Sequence, residues 1–464
     1  MKRRAYRATD VKDVRCEDVM EAAPTGAVTT GLDIGKSEIR GVLRWSDGSF
    51  ERPWKVENPV QIDLLVGHLR EVAEQHPLIV AMESTGTYGD VLRAKLHEAG
   101  LVVHRVGGKA AHDYAEVFDG VPSQHDSKDA AVIAELAAFG KSTPWPFESP
   151  QEADAELAFW VEWLDAQTGI QQVWTGRLES LLARHWPELT GLLELTSPTL
   201  LELLAKYGGA APLAADPQAA RHLARWGGNF LTEAKIERIV ASAAGTVGVG
   251  QIEPQRKAMR RYAAAALEAY RQTQEARGHL KRLAKDNATI QRQAQAVGET
   301  TACVLWAALG DPANYRCGEA YRKAMGLNLK ERSSGQHQGQ LKITKRGPSI
   351  VRRWLYFAAM RTSQSPWVRP WFEAKKARDQ GRGKGALIAV CRKLALALHA
   401  VGAGEKPFEI QRLFPSSGKR QRNALAAEKR QRYQEMNEAE AVVAESGGSA
   451  PKPPGFNALT PRIG

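Results

Sequence analysis

An aspartate set into an apolar strand constrains this chain more than any other feature. The stretch is Thr29-Thr30-Gly31-Leu32-Asp33-Ile34-Gly35-Lys36-Ser37, entered through Ala27-Val28 and left through Glu38-Ile39-Arg40-Gly41-Val42-Leu43. Extended, β-branched sequence on both sides of Gly35 predicts a buried strand, a tight turn and a second, antiparallel strand. Asp33 then sits mid-strand on the functional face of a sheet. A carboxylate there is costly unless it is paired or binds a metal, so the question becomes what it holds.

Two look-alikes bear on that question. A phosphate loop needs four residues between its glycines, and only three separate Gly31 from Gly35. Sugar-kinase-like and actin-like ATPases also open on Asp-x-Gly in a hairpin, and they stand as an alternative until the partners of Asp33 are named.

The chain around this stretch has 464 residues, enough for two or three domains with ample core. Its net charge of +12 is concentrated. Residues 321–400 hold 18 Lys/Arg against three Asp/Glu, a net of +15, which leaves −3 for the rest. A cationic surface so localised is expected of a nucleic-acid-binding face. Cys16, Cys303, Cys317 and Cys391 are scattered, with no C-x-x-C pair and no neighbouring His at zinc-ligand spacing, so they read as free thiols. No apolar run approaches transmembrane length, and Met1-Lys2-Arg3-Arg4 does not lead into the apolar segment of a signal peptide, so the expectation is a cytoplasmic protein.

Residues 1–26 are polar and aperiodic and read as a disordered lead-in. From there the pattern predicts strands over 27–34, 38–45 and 49–56, a helix over 60–74, a strand over 78–83, a helix over 88–99, a strand over 101–106, and helices over 108–117 and 127–140. Three meandering strands followed by alternating helix and strand is the α/β ribonuclease-H-like (RuvC-like) order, assigned to residues 27–148. Residues 149–295 read as a helical and coiled-coil region. Leu157, Trp160, Val161 and Leu164 recur at helical spacing, and 190–252 breaks into short helices. Gln255 to Gln291 carries a weak heptad-like stripe through Ala263, Ala266, Tyr270 and Leu280, predicting one long helix. A mainly helical domain follows over 296–410, opening on a small-residue turn at Ala296-Val297-Gly298. Residues 411–464 form a basic and then Ser/Gly/Pro-rich tail.

On the ribonuclease-H-like order, the acids that belong beside Asp33 can be named by position. Glu83 ends the neighbouring strand, and Asp126 and Asp129 open the last helix, where a spacing of three puts both on one face. Four such ligands suit two Mg²⁺ ions about 4 Å apart, the arrangement used in phosphodiester chemistry. Singly, each acid has a blander role: Asp126 as a helix cap, Asp129 as a favourable charge in the first turn, Glu83 as a cap of the next helix. Their joint order favours the metal site. It also disfavours the ATPase alternative, which needs a second Asp-Gly hairpin in the C-terminal half.

At this point the chain resembles the DEDD transposases of the IS-one-ten and IS-eleven-eleven insertion sequences, recombinases guided by a bridge RNA. The matching residues are Gly31-x-Asp33, Glu83-x-Thr85-Gly86-Thr87-Tyr88, Asp126-x-x-Asp129-Ala130 and Arg177-Leu178-x-x-Leu181-Leu182-x-x-His185-x-Pro187-Glu188-Leu189. A C-terminal block matches as well, from Gly326-Leu327 through Ser333-Ser334-Gly335, Ile343-Thr344-Lys345-Arg346-Gly347 and Val351-Arg352-Arg353 to Arg392-Lys393-Leu394. The resemblance implies that Asp33, Glu83, Asp126 and Asp129 bind Mg²⁺ and that Ser334, with Ser333 as its neighbour, becomes covalently joined to DNA. It further implies a structured guide RNA and dimers that pair into a tetramer on DNA. Lys345, Arg346, Arg352 and Arg353 follow the Ser-Ser-Gly stretch and could hold a phosphate beside its hydroxyl, and with Arg392 and Lys393 they read as nucleic-acid contacts. The chain departs from the family at Gln124, where a Lys is usual, and at Ala296-Val297-Gly298, where Pro-Gly-Ile-Gly is usual. The rival readings are a metal-only nuclease such as a Holliday-junction resolvase, and a non-catalytic nucleic-acid-binding protein.

Overall fold

In the computed structural model, residues 7–21, 23–83, 86–121, 125–147, 151–331, 339, 341–404 and 407–414 are described. They divide into two compact units, 1–150 and 151–464.

The first unit is built on a seven-stranded mixed sheet. Its strands are β1 (Thr9–Asp10), β2 (Val28–Ile34), β3 (Glu38–Arg44), β4 (Trp54–Glu57), β5 (Leu78–Glu83), β6 (Val102–Val106) and β7 (Ser142–Pro144), in the order β1-β4-β3-β2-β5-β6-β7. β2 pairs antiparallel with β3 and parallel with β5, and β5 pairs parallel with β6. This is a RuvC-like, ribonuclease-H-like sheet. The helices of the unit are α1 (Cys16–Glu21), α2 (Ile62–Gln75), α3 (Asp90–Glu98), α4 (Gly108–Asp119) and α5 (Asp126–Ala138).

Strand alternation decides what each face carries. Leu32, Val80 and Met82 point to one side and join Leu65, Leu69, Leu92 and Leu96 of α2 and α3 in a single core. Ala81 and Val106 point to the other, onto Ala111 and Ala115 of α4 and Ile133 and Leu136 of α5. Gly31 and Asp33, one residue either side of Leu32, share this second face, as does Glu83, two residues beyond Ala81. The four acids therefore belong to the α4/α5 side, while the α2/α3 side packs an apolar core.

The lead-in expected to be disordered is partly tied down. Thr9 and Asp10 pair with Trp54 and Lys55, Val11 is fully buried, and α1 follows. A two-residue strand and a six-residue helix are too short to leave a periodic signal. For the same reason β7 was not expected, and the third meander strand is shorter than the predicted 49–56, covering 54–57 with a lone bridge from Arg44 to Phe50.

The second unit is helical. Its axis is an antiparallel pair of long helices, α6 (Glu152–His185) and α12 (Glu253–Ala284). Trp160 stacks on His279 with ring centroids 3.8 Å apart, Trp174 stacks on Tyr262 at 5.4 Å, and Trp163 Nε1 donates to Gln272 Oε1 between them. The helix predicted over 255–291 stops earlier. Asn287 leaves helical geometry and its side chain accepts from Ile290 N, starting α13 (Ala288–Val297).

Each end of the pair enters a different core. Leu178 and Leu182 with Met259, Ala263 and Ala266 pack into α7 (Leu189–Leu192), α8 (Pro198–Tyr207), α9 (Ala210–Ala214), α10 (Ala219–Gly227) and α11 (Glu233–Ala244). Residues 190–252, whose purpose the sequence left open, thus cap one end of the pair. Leu157, Val161 and Leu164 with Ala276 and Leu280 enter the other core, with α13, α14 (Glu299–Leu309), α15 (Gly318–Ala324), α16 (Ser349–Gln364), α17 (Arg369–Arg378) and α18 (Gly383–Ala403). Against expectation, α18 is long and apolar enough to cross a membrane by length and composition. Here it supplies Val390, Cys391, Leu394 and Leu398 to the core between neighbouring helices, which accounts for its apolar character.

Candidate metal centre

The centre begins with a missing side chain. A Cβ on Gly31 would overlap the carbonyl oxygen of Ala130 and crowd Ala134 N, so only glycine lets α5 lie directly on β2. That contact brings the first turn of α5, with Asp126 and Asp129, up to the strand end that carries Asp33. Glu83 arrives by register: Gly31 pairs with Ala81 and Leu32 with Met82, so the next step sets Asp33 beside Glu83 on neighbouring strands. Parallel strands lie about 4.8 Å apart, which makes these two carboxylates neighbours. Gly108 at the start of α4 leaves room for the Glu83 carboxylate, which a Cβ there would strike.

Burial and repulsion raise the proton affinity of Asp33, Glu83 and Asp129. Asp33 is pushed up to about 6, first by burial and then by the charges of Asp129, Asp126 and Glu83. Burial, then Asp129, raises Glu83. Burial, then Asp126, raises Asp129, while His125, Lys128 and His112 act in the opposite sense. Asp33 thus feels the charge of each of the other three predicted acids. Among the described residues their oxygens do not gather three at a time within 4.8 Å. An all-oxygen set carrying several negative charges fits a hard divalent cation.

The supports of α5 escaped the sequence reading. Lys128 has a fully buried side chain that donates to Asp119 Oδ1 and to the Val121 carbonyl, both at 2.6 Å, tying the end of α4 to the first turn of α5. Arg44 of β3 is ion-paired with Glu135 two turns further along, both largely buried. His125 caps α5 by accepting from Lys128 N at 3.2 Å, and His112 of α4 lies close enough to influence Asp129. An isolated Lys or His in a helical pattern carries no signal of such a role; only the fold brings them to the acids.

The second predicted cluster lies in the helical unit. Ser333 and Ser334 lie outside the described residues, as does Gln124. The chain on either side of the serines is described: β8 (Leu329–Lys330) pairs antiparallel with β9 (Lys342–Ile343). Below this hairpin, Lys345 N donates to the Gly326 carbonyl at 3.0 Å, and Thr344 N donates to the Asn328 carbonyl at 2.7 Å. Gly347 has φ +154° and passes so near Ala324 that a Cβ would strike its carbonyl. Arg352 braces the crossing by donating to the Gly347 carbonyl at 2.6 Å.

The six predicted nucleic-acid contacts separate accordingly. Lys345, with φ +58°, and Arg346 are exposed. Arg353 is exposed but ion-paired with Asp165. Arg392 donates to the Leu327 carbonyl and Lys393 to the Leu413 carbonyl, and Lys393 also lies over the Trp371 and Phe414 rings. With Arg352, these last two hold the domain together.

Comparison with known proteins gives two family matches. Residues 30–187 match a DEDD transposase model of the IS110 type, and residues 289–376 match the transposase IS116/IS110/IS902 family. No curated protein matches the chain. Among solved structures it is similar to T. thermophilus RuvC in complex with Holliday junction substrate, at 17% identity over 26% of this chain and 99% of that one, with a TM-score of 0.21. A second Thermus thermophilus RuvC structure matches at 17% identity over 25% and 99%, with a TM-score of 0.20. Since one model covers the acids on their RuvC-like sheet and the other the hairpin that brackets the serines, the chain belongs to the IS110 family of DEDD transposases.

Proposed function

We propose that this DNA transposase cuts and rejoins strands by serine attack at a Mg²⁺-dependent centre, under the guidance of a structured RNA. The observation that carries the reading is the convergence of Asp33, Glu83, Asp126 and Asp129 from two strands and one helix, each built into place by close packing. Bound by these four carboxylates, Mg²⁺ ions, two by the number of ligands, would polarise the phosphodiester and stabilise charge on the departing oxygen. Ser334 Oγ forms a bond to phosphorus as the bond from phosphorus to the DNA oxygen breaks. The serine proton is lost and the DNA oxygen leaves as a hydroxyl. A DNA hydroxyl later attacks the phosphoserine, restoring Ser334 and the phosphodiester. No high-energy cofactor is consumed, because the covalent link retains the bond energy. Lys345 and Arg346, exposed beside the hairpin, hold the phosphate.

On this reading residues 27–148 are the catalytic domain of the acids and 296–410 the domain of the serine, joined by the helical region 149–295, and the protein works as a homo-oligomer on DNA. The test uses purified protein with a nicked or suicide DNA substrate carrying the element's ends. Wild type leaves a protein–DNA adduct on a denaturing gel, Ser334→Ala leaves none, and Asp33→Asn cuts nothing in Mg²⁺. Cleavage by Ser334→Ala without an adduct favours a metal-only nuclease. Wild-type-like cleavage by Asp33→Asn removes the metal site from the reading.

A further inference from the structure

A second group of metal-ligating side chains converges far from any motif: Cys16 of α1 with His68 and Glu71, one turn apart on α2. One ligand atom from each lies within 4.8 Å of the other two, and Cys16 Sγ is 3.0 Å from His68 Nδ1. The imidazole is already oriented for ligation. Its Nε2 is 3.2 Å from the Val11 carbonyl oxygen, which can only accept, so Nε2 carries the proton and Nδ1 turns its lone pair towards the thiol. Trp54 packs edge-on against the same ring, with centroids 6.0 Å apart, and helps fix its plane. Cys16 is buried and Glu71 exposed, so a fourth tetrahedral position would face solvent on the Glu71 side.

We propose that Cys16, His68 and Glu71 bind a borderline-soft divalent cation, Zn²⁺ in the first instance, which clamps the N-terminal segment onto α2. Thiolate, neutral imidazole and carboxylate together supply two negative charges and the mixed S, N, O set that Zn²⁺ takes, whereas Mg²⁺ prefers oxygen alone. The two centres of this unit therefore select different metals. The clamp has a mechanical purpose. β1 holds the sheet edge with two residues and α1 is six residues long, so a bond from Cys16 to α2 adds to the β1 pairing and the burial of Val11 that hold this segment. Metal-free, burial and Glu71 keep the thiol protonated, pushed up to about 12, so binding releases that proton.

The experiment loads the EDTA-treated full-length protein with Zn²⁺ or Co²⁺ alone. Wild type should retain one Zn²⁺ per chain after desalting, and Co²⁺ should give a thiolate-to-metal charge-transfer band in the near ultraviolet. Both signals should disappear in Cys16→Ser and persist in Asp33→Asn, which alters only the acidic centre. Glu71→Gln changes an exposed side chain and should weaken Zn²⁺ binding about tenfold or more with the fold intact. A wild type that retains no Zn²⁺, a Co²⁺ spectrum without the thiolate band, or unchanged affinity in Glu71→Gln overturns the proposal.

Discussion

At the scale of the residue, the acidic centre stores repulsion that the metal-free protein must bear. Asp33 in the folded state binds its proton more tightly than an unfolded aspartate, whose pKa is near 3.9. Between about pH 4 and pH 6 the native state therefore holds more protons than the unfolded chain. Stability falls as pH rises through that window and is level with respect to this group above it. Asp33→Asn should accordingly raise the melting temperature in EDTA at pH 8, with little gain at pH 4. Adding Mg²⁺ at pH 8 should stabilise wild type more than the variant. A melting temperature unchanged by Asp33→Asn at pH 8 would mean that the four carboxylates do not burden one another. Lys128 predicts the opposite behaviour. Its ammonium is the buried cation paired with Asp119, so Lys128→Met removes the charge that balances that carboxylate and should cost about 3–5 kcal/mol in chemical denaturation. A loss below about 1 kcal/mol would place Asp119 in water rather than in a buried pair.

At the scale of the element, the two glycine contacts show what the sequence could and could not tell. β5 was predicted with the bounds it has, and alternation along β2 and β5 put Asp33 and Glu83 on one face, because a period of two fixes every side chain once one is placed. The reason that Gly31 precedes Asp33 was not readable, since it depends on a carbonyl 99 positions later in the chain, that of Ala130. Cys16 and His68 are a similar case: 52 residues apart, they share no spacing rule and meet only through the edge pairing of β1. The break at Asn287 was missed because an Ala- and Arg-rich helix pattern runs through it, and a side-chain cap outweighed propensity. Gly31→Ala should therefore act through α5. The added methyl pushes the helix off β2 and carries Asp126 and Asp129 away from Asp33. Mn²⁺ binding by calorimetry should weaken at least tenfold while far-ultraviolet circular dichroism keeps its helical signal. Unchanged Mn²⁺ affinity would show that α5 can shift without disturbing the acids.

At the scale of the whole molecule, the decisive quantity is where the charge sits. Residues 321–400 carry +15 against −3 elsewhere, and few acids stand nearby to neutralise them. Arg322, Arg353, Lys375 and Lys376 are ion-paired, whereas Lys345 and Arg346 are exposed on the turn that follows the β8–β9 hairpin. A surface with this surplus binds phosphate backbones irrespective of sequence and releases their counterions as it does so. If about six to ten phosphates are neutralised, the logarithm of the association constant should fall with the logarithm of salt at a slope on the order of −5 to −9. Lys345→Ala with Arg346→Ala should make that slope shallower by about two, since each lost contact removes roughly one counterion. Arg353→Ala should change it less, because that guanidinium is already engaged by Asp165. The same surplus exceeds what one short DNA contact requires, which is why a structured RNA is expected to copurify from the native operon and to resist removal until the salt is high. Purification from that operon with no enriched RNA, or a salt slope unmoved by the double substitution, would assign the charge to DNA held elsewhere on the protein.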